Sequence, residues 1–174
     1  MTRAVCLVGL RGAGKSSVGA ALARALGRPF LDLDRAVEDR AGRTLRELFA
    51  DEGEAAFRAL ESEALREALR LLPTAVLATG GGVVLDPDNR AALRGAHVVY
   101  LEAPPELLAA RVEADPQSAA DRPALHPQGP LAEARALHAA RDPLYREVAT
   151  LVVDATPPVE EVVRAIARSM DLGL

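Results

Sequence analysis

Short apolar runs alternate along the chain with longer stretches in which apolar residues recur at helical spacing. Ala4-Val-Cys-Leu-Val-Gly9 is a continuous apolar run of buried-strand length, followed by a glycine-rich stretch from Leu10 to Ser16. Val18, Ala21, Leu22 and Leu26 then fall on one face of a helix over 16–26. A second short strand is expected over 29–33. Thr44 with Glu47 three residues on has the pattern of a capping box, and a long helix is expected over 51–72, ended by Pro73. Strands over 74–79, 97–101 and 151–153 alternate with helices over 87–94, 104–113, 131–141 and 158–170.

Strands alternating with helices predict an α/β domain around a mainly parallel sheet. The stretch 114–129 breaks the rhythm, with Pro116, Pro123 and Pro127 and few large apolar groups. Loops of that length inside compact domains are usually functional lids or disordered segments, and a lid is expected there. The length of 174 residues fits one domain spanning 1–174, with no internal repeat or linker.

Composition narrows the function. The formal net charge of −4 argues against a dedicated nucleic-acid binder, which needs a basic face. One cysteine, Cys6, cannot form an internal disulfide. The longest uncharged stretch, 71–85, holds Pro73 and three glycines, and is too short and broken to span a bilayer. No targeting segment is read, and a cytoplasmic location with no membrane partner is expected. Of the 21 basic residues 20 are arginine, and Lys15 is the only lysine.

That lysine falls in Gly9-Leu-Arg-Gly12-Ala-Gly14-Lys15-Ser16, which satisfies G-x-x-x-x-G-K-[ST] with a strand before it and a helix after it. Glycines there let backbone N–H groups wrap phosphate oxygens, and the helix N-terminus adds its dipole. Lys15 suits the β- and γ-phosphates, and the Ser16 hydroxyl suits Mg²⁺. A GTPase switch is excluded, because N-K-x-D needs a second lysine and the only asparagine is Asn89. A small-molecule kinase, with cradle, acceptor pocket and lid, is the class that remains.

Four further features bear on the acceptor. Asp32 and Asp34 alternate at the end of the second strand, where extended geometry would point both carboxylates to one face; a solvated strand end or a helix cap is the alternative. Arg58 has Glu61 one turn on, a spacing that orients a guanidinium or makes a plain surface pair. Ala78-Thr79-Gly80-Gly81-Gly82 ends a buried strand, where open α/β sheets bind ligands. Arg141-Asp-Pro143-Leu-Tyr145 follows the helix after the lid and either faces the cleft or is a C-terminal helix cation.

Together these residues closely resemble the shikimate kinases over nearly the whole chain, from the P-loop through D-x-D, F-R, A-T-G-G-G and the lid R-P to R-x-P-x-Y. The resemblance implies a P-loop NTPase fold with a central five-stranded parallel sheet, flanking helices and a lid. It implies ATP-dependent phosphorylation of the shikimate 3-hydroxyl, giving shikimate 3-phosphate and ADP, on the way to chorismate and the aromatic amino acids. By the same resemblance Gly12, Ala13, Gly14, Lys15, Ser16 and Ser17 hold the nucleotide, Arg111 lies beside adenine, and Arg122 reaches the phosphates from the lid. Asp34, Arg58, Gly80, Gly81 and Arg141 hold shikimate, both arginines at its carboxylate, and Asp32 assists Ser16 with Mg²⁺. Catalytic roles fall to Lys15, Asp34 and Arg122. Phe49 and Phe57 wall the ring or belong to the core. ATP and shikimate are the expected partners, and a monomer is expected. A kinase for another polyol acid or a nucleoside monophosphate, and a nucleotide switch that phosphorylates nothing, remain the rivals.

Overall fold

The computed structural model describes residues 3–115 and 128–170. In chain order these are β1 (Val5–Val8), α1 (Lys15–Leu26), β2 (Phe30–Asp32), α2 (Leu33–Ala41), α3 (Leu45–Leu71), β3 (Val76–Ala78), a 3₁₀ turn (Val83–Leu85), α4 (Pro87–Leu93), β4 (His97–Glu102), α5 (Pro105–Ala114), α6 (Pro130–Val148), β5 (Leu151–Asp154) and α7 (Val159–Ser169). The five strands form one parallel sheet in the order β2-β3-β1-β4-β5. That is the expected α/β architecture. The expected lid over 114–129 lies largely outside the described residues.

Central β1 is completely buried, as its unbroken apolar run requires when helices cover both faces of a sheet. Cys6 within it is inert, its thiol pushed up to about 12 by burial. β1 lies between β3 and β4, with Leu7 opposite Ala78 on one side and Val99 on the other. The chain leaves β1 toward β2 and leaves neighbouring β3 across the sheet toward β4. The loops after these two adjacent strands therefore diverge and open a crevice at the carboxyl edge. Thr79 ties the two strand ends together there, since its N–H and hydroxyl both donate to the Leu7 carbonyl, at 3.2 and 2.9 Å.

Three elements differ from the sequence expectation. The second strand stops at Asp32, whose carboxylate accepts the Asp34 N–H at 3.0 Å and so caps α2. Asp32 and Asp34 therefore do not alternate along a strand; one caps a helix and the other stands in its first turn. Leu33 and Val37, one turn apart and both buried, are the helical signal. Helix α3 starts at Leu45 behind the complete Thr44–Glu47 capping box, as that pattern predicts, runs on into the stretch expected from 51, and breaks at Gly53 (φ 81°, ψ 177°). Helix α6 continues through Pro143 to Val148, so Arg141 is an interior helix residue and not a C-terminal cation. Proline removes one backbone bond there, and packing of α6 against α5, β4 and the 3₁₀ turn carries the helix past it. No helix among the described residues is long and apolar enough to cross a membrane.

Candidate active site

The crevice is a cleft of about 860 Å³. The loop after β1 forms one wall, and its shape depends on glycine. Gly9 (φ 144°) and Gly12 (φ 83°) lie in backbone regions that L side chains avoid, and a Cβ on either would come within 2.8 Å of the Leu101 or Leu108 carbonyl oxygen. Gly14 caps α1 without a side chain, and no acidic residue sits in the first turn, so the positive end of α1 is left to an anion. Gly12, Gly14, Lys15, Ser16 and Ser17 all line the cleft. Ala13 is buried beneath it and donates its N–H to the Leu10 carbonyl at 3.2 Å. Lys15 Nζ donates to the Gly9 and Leu10 carbonyls at 2.8 and 2.9 Å, which holds the ammonium over the loop.

Ser16 and Asp32 meet, the hydroxyl donating to Asp32 Oδ2 at 2.5 Å. Hydroxyl and carboxylate oxygens are the hard donors that Mg²⁺ prefers, and that ion commonly takes one or two protein ligands beside substrate phosphates. The residues present therefore fit the ion. Asp34 and Gly81 line the same cleft as Lys15 and Ser16, so phosphate cradle and acceptor groups share one space.

Arg58 and Arg141 approach from behind the glycine turn. A Cβ on Gly82 would lie 2.3 Å from Arg58 Cζ, and one on Gly81 would lie 3.6 Å from Arg141 Nη1. The Arg58 guanidinium leaves no room for a side chain at Gly82, whereas Arg141 lies at ordinary contact distance from Gly81. Arg58 donates to Glu61 Oε2 at 2.7 Å and to Glu54 Oε1 at 3.1 and 3.3 Å. Burial works against the Arg58 charge, but Glu61 outweighs it together with Glu54, and the pKa is raised. Glu61 is almost wholly buried, so this is not the surface pair its spacing also allowed. A Cβ on Gly80 would strike Glu61 Oε1 at 2.0 Å and approach Asp34 Oδ1 at 3.1 Å. Asp34, Glu61, Arg58 and Arg141 thus converge on three consecutive glycines.

Phe57 is completely buried, with its ring 4.6 Å from Phe49 and the Arg58 guanidinium 5.0 Å away. Its place is in the core beneath the arginine. Arg111 also lines the cleft, bridging the Gly12 carbonyl (3.4 Å) to those of Ala155 (2.9 Å) and Thr156 (3.3 Å) beyond β5. Arg122 lies outside the described residues. Arg11, Arg35, Glu38 and Asp39 line the cleft too and had no role in the sequence reading. For the last three the signal was the periodicity of α2, which puts one helix of charged residues along the rim.

Comparison with known proteins gives one answer. The family model described as shikimate kinase matches residues 11–171. A shikimate kinase of Paracidovorax citrulli is 46% identical over 171 residues, which cover 96% of this chain and 91% of that protein. Shikimate kinase 2 of Yersinia enterocolitica is 44% identical, over 95% of this chain and 94% of its own. Among solved structures, a shikimate kinase from Acinetobacter baumannii in complex with shikimate superposes with a TM-score of 0.91. It is 37% identical, over 100% of this chain and 96% of that one.

Proposed function

The chain belongs to the shikimate kinase family, phosphotransferases with an alcohol group as acceptor, and from that premise we propose how its own residues carry out the transfer. The γ-phosphoryl group of ATP passes to the 3-hydroxyl of shikimate: a bond forms from that oxygen to phosphorus as the hydroxyl proton is released, the bond to the β,γ-bridging oxygen breaks, and ADP leaves. The supporting observation is that Lys15, Ser16 and Asp32 line the same cleft as Asp34 and Gly81. Transfer of this kind depends mostly on positioning and charge stabilisation.

On the nucleotide side, Gly12, Ala13, Gly14 and Ser17 shape the cradle and Arg111 holds the adenine end. Lys15 exchanges its loop carbonyls for phosphate oxygens and spreads over the charge that builds on the transferring group. Ser16 and Asp32 hold Mg²⁺, which when bound neutralises phosphate charge and helps align the transfer. On the acceptor side, Arg58 and Arg141 suit the ring carboxylate, because a guanidinium matches a carboxylate with two parallel donors. Gly80 and Gly81 let the ring approach the backbone, and Asp34 accepts the hydrogen bond of the attacking hydroxyl. Arg122 completes the phosphate site from a lid that excludes water, which strengthens the charged contacts and prevents hydrolysis. The chain acts as a cytoplasmic monomer of one domain without nucleic-acid partners; the single sheet supports the one domain and the mild negative charge the lack of nucleic acid.

The deciding experiment is a coupled assay of ADP release over a panel of hydroxy acids and nucleoside monophosphates. ADP release should accelerate with shikimate and with no other member to a comparable degree. ATP turnover indifferent to shikimate would establish a switch instead, and a stronger response to another acceptor would reassign the substrate.

A further inference from the structure

Arg141 and Tyr145 lie four residues apart on α6, so they share a helix face, and the tyrosine has no role in the reading above. Tyr145 is completely buried and its hydroxyl donates to the Gly81 carbonyl, 64 residues away in sequence. The Arg141 guanidinium lies beside the same glycine, its Nη1 3.6 Å from where a Gly81 Cβ would sit. Burial pushes the phenol up to about 12, so it remains a protonated donor over the whole working range of pH.

The carbonyls of the glycine turn are all engaged. Gly80 accepts from the Val83 N–H at 3.2 Å and Gly82 from the Leu85 N–H at 3.0 Å, both within the turn itself. Gly81 accepts from Tyr145, the tie that joins the turn to α6. In a trans peptide the C=O and N–H point opposite ways, and no cis peptide occurs among the described residues. Holding the Gly81 carbonyl toward α6 therefore turns the N–H of the same peptide, that of Gly82, away from α6. A glycine–glycine peptide has no side chain to enforce that choice.

We infer that Tyr145 is a positioning residue for the acceptor: its hydroxyl holds the Gly81–Gly82 peptide against α6, beside Arg141, so guanidinium and backbone are presented together. The inference rests on the acceptor reading of the site. A neighbour serves as the control. The Tyr100 ring lies 5.0 Å from that of Tyr145, but its hydroxyl donates to Asp142 at 2.9 Å.

Tyr145→Phe keeps the ring and removes the donor. The KM for shikimate should rise about tenfold, with kcat and ATP affinity within about twofold of the parent and the melting temperature lower by only a few degrees. Tyr100→Phe should leave that KM at the parent value. Hydrogen exchange at 79–85 in the ligand-free Tyr145→Phe protein should quicken while β1 and β3 stay protected. An unchanged KM overturns the inference. So does a parallel fall of kcat, ATP affinity and melting temperature, which marks the tyrosine as merely structural. A parent that ignores shikimate refutes the acceptor reading alone, and hydrogen exchange then decides: quickening confined to the turn supports the tie, and unchanged exchange overturns it.

Discussion

The glycine-rich loop is one continuous stretch, Gly9 to Ser16, whereas the proposed acceptor side gathers Asp34 from α2, Arg58 and Glu61 from α3, Gly80 to Gly82 from the turn after β3 and Arg141 from α6. The cradle works through backbone, held in shape by positive φ angles and by carbonyls that leave no room for a Cβ. The proposed acceptor side relies on charged side chains, of which Arg58 is held by Glu61 and Glu54. A backbone device fails at one atom. A side-chain network is expected to fail in parts, and graded substitutions separate the two.

The largest effect belongs to the cradle. Lys15→Met should leave a folded protein whose turnover falls about a thousandfold, since the transition state loses its main fixed cation. Circular dichroism and steady-state kinetics check both halves of that statement. Near-normal turnover would remove Lys15 from the chemistry.

Asp34→Asn tests whether the acceptor side acts separately although it shares the cleft. Turnover with shikimate should fall about a hundredfold through a misdirected hydroxyl while ATP affinity stays put. Nucleotide titration beside the kinetics distinguishes this from damage to the metal pair, which would weaken both.

Arg58→Lys and Arg141→Lys should each raise the shikimate KM about tenfold, because one ammonium cannot reproduce a two-pronged contact. An acceptor lacking the carboxylate should lose less in these variants than in the parent. Equal loss in every background would place the arginines away from the carboxylate.

The smallest effect falls outside both halves. Thr44→Ala should cost about 1 kcal/mol in denaturant unfolding, the usual worth of a helix cap, and leave both substrate affinities alone because α3 breaks at Gly53 before reaching Arg58. The Thr44 N–H and hydroxyl hold the Glu47 carboxyl below its ordinary value. A depressed carboxyl contributes stability above its unfolded pKa and loses it as pH falls through the folded one. The gap between parent and variant should therefore narrow as pH drops below the usual glutamate range.

What was legible divides along the same line. The G-x-x-x-x-G-K-S pattern was readable because a phosphate cradle is local: consecutive residues make the turn, the donors and the helix start. Asp32 and Asp34 do line the cleft beside Lys15 and Ser16, but not by strand alternation, since capping by Asp32 turned an expected strand end into a helix. Helix α6 outran Pro143 because packing compensated for a missing backbone bond. Tyr145 was visible as a letter in R-x-P-x-Y, yet no spacing rule links it to a carbonyl 64 residues away.

The apolar runs and the glycine-rich loop were enough by themselves to determine a parallel α/β sheet carrying a phosphate cradle. A strand buried on both faces has to be apolar throughout, and a backbone cradle has to be contiguous. Only the tertiary structure decided that Arg58 and Arg141 meet at three glycines. That meeting depends on β3 lying beside β1, on α3 bringing Glu61 up to Gly80 and on α6 reaching Gly81, contacts between elements that no local periodicity encodes.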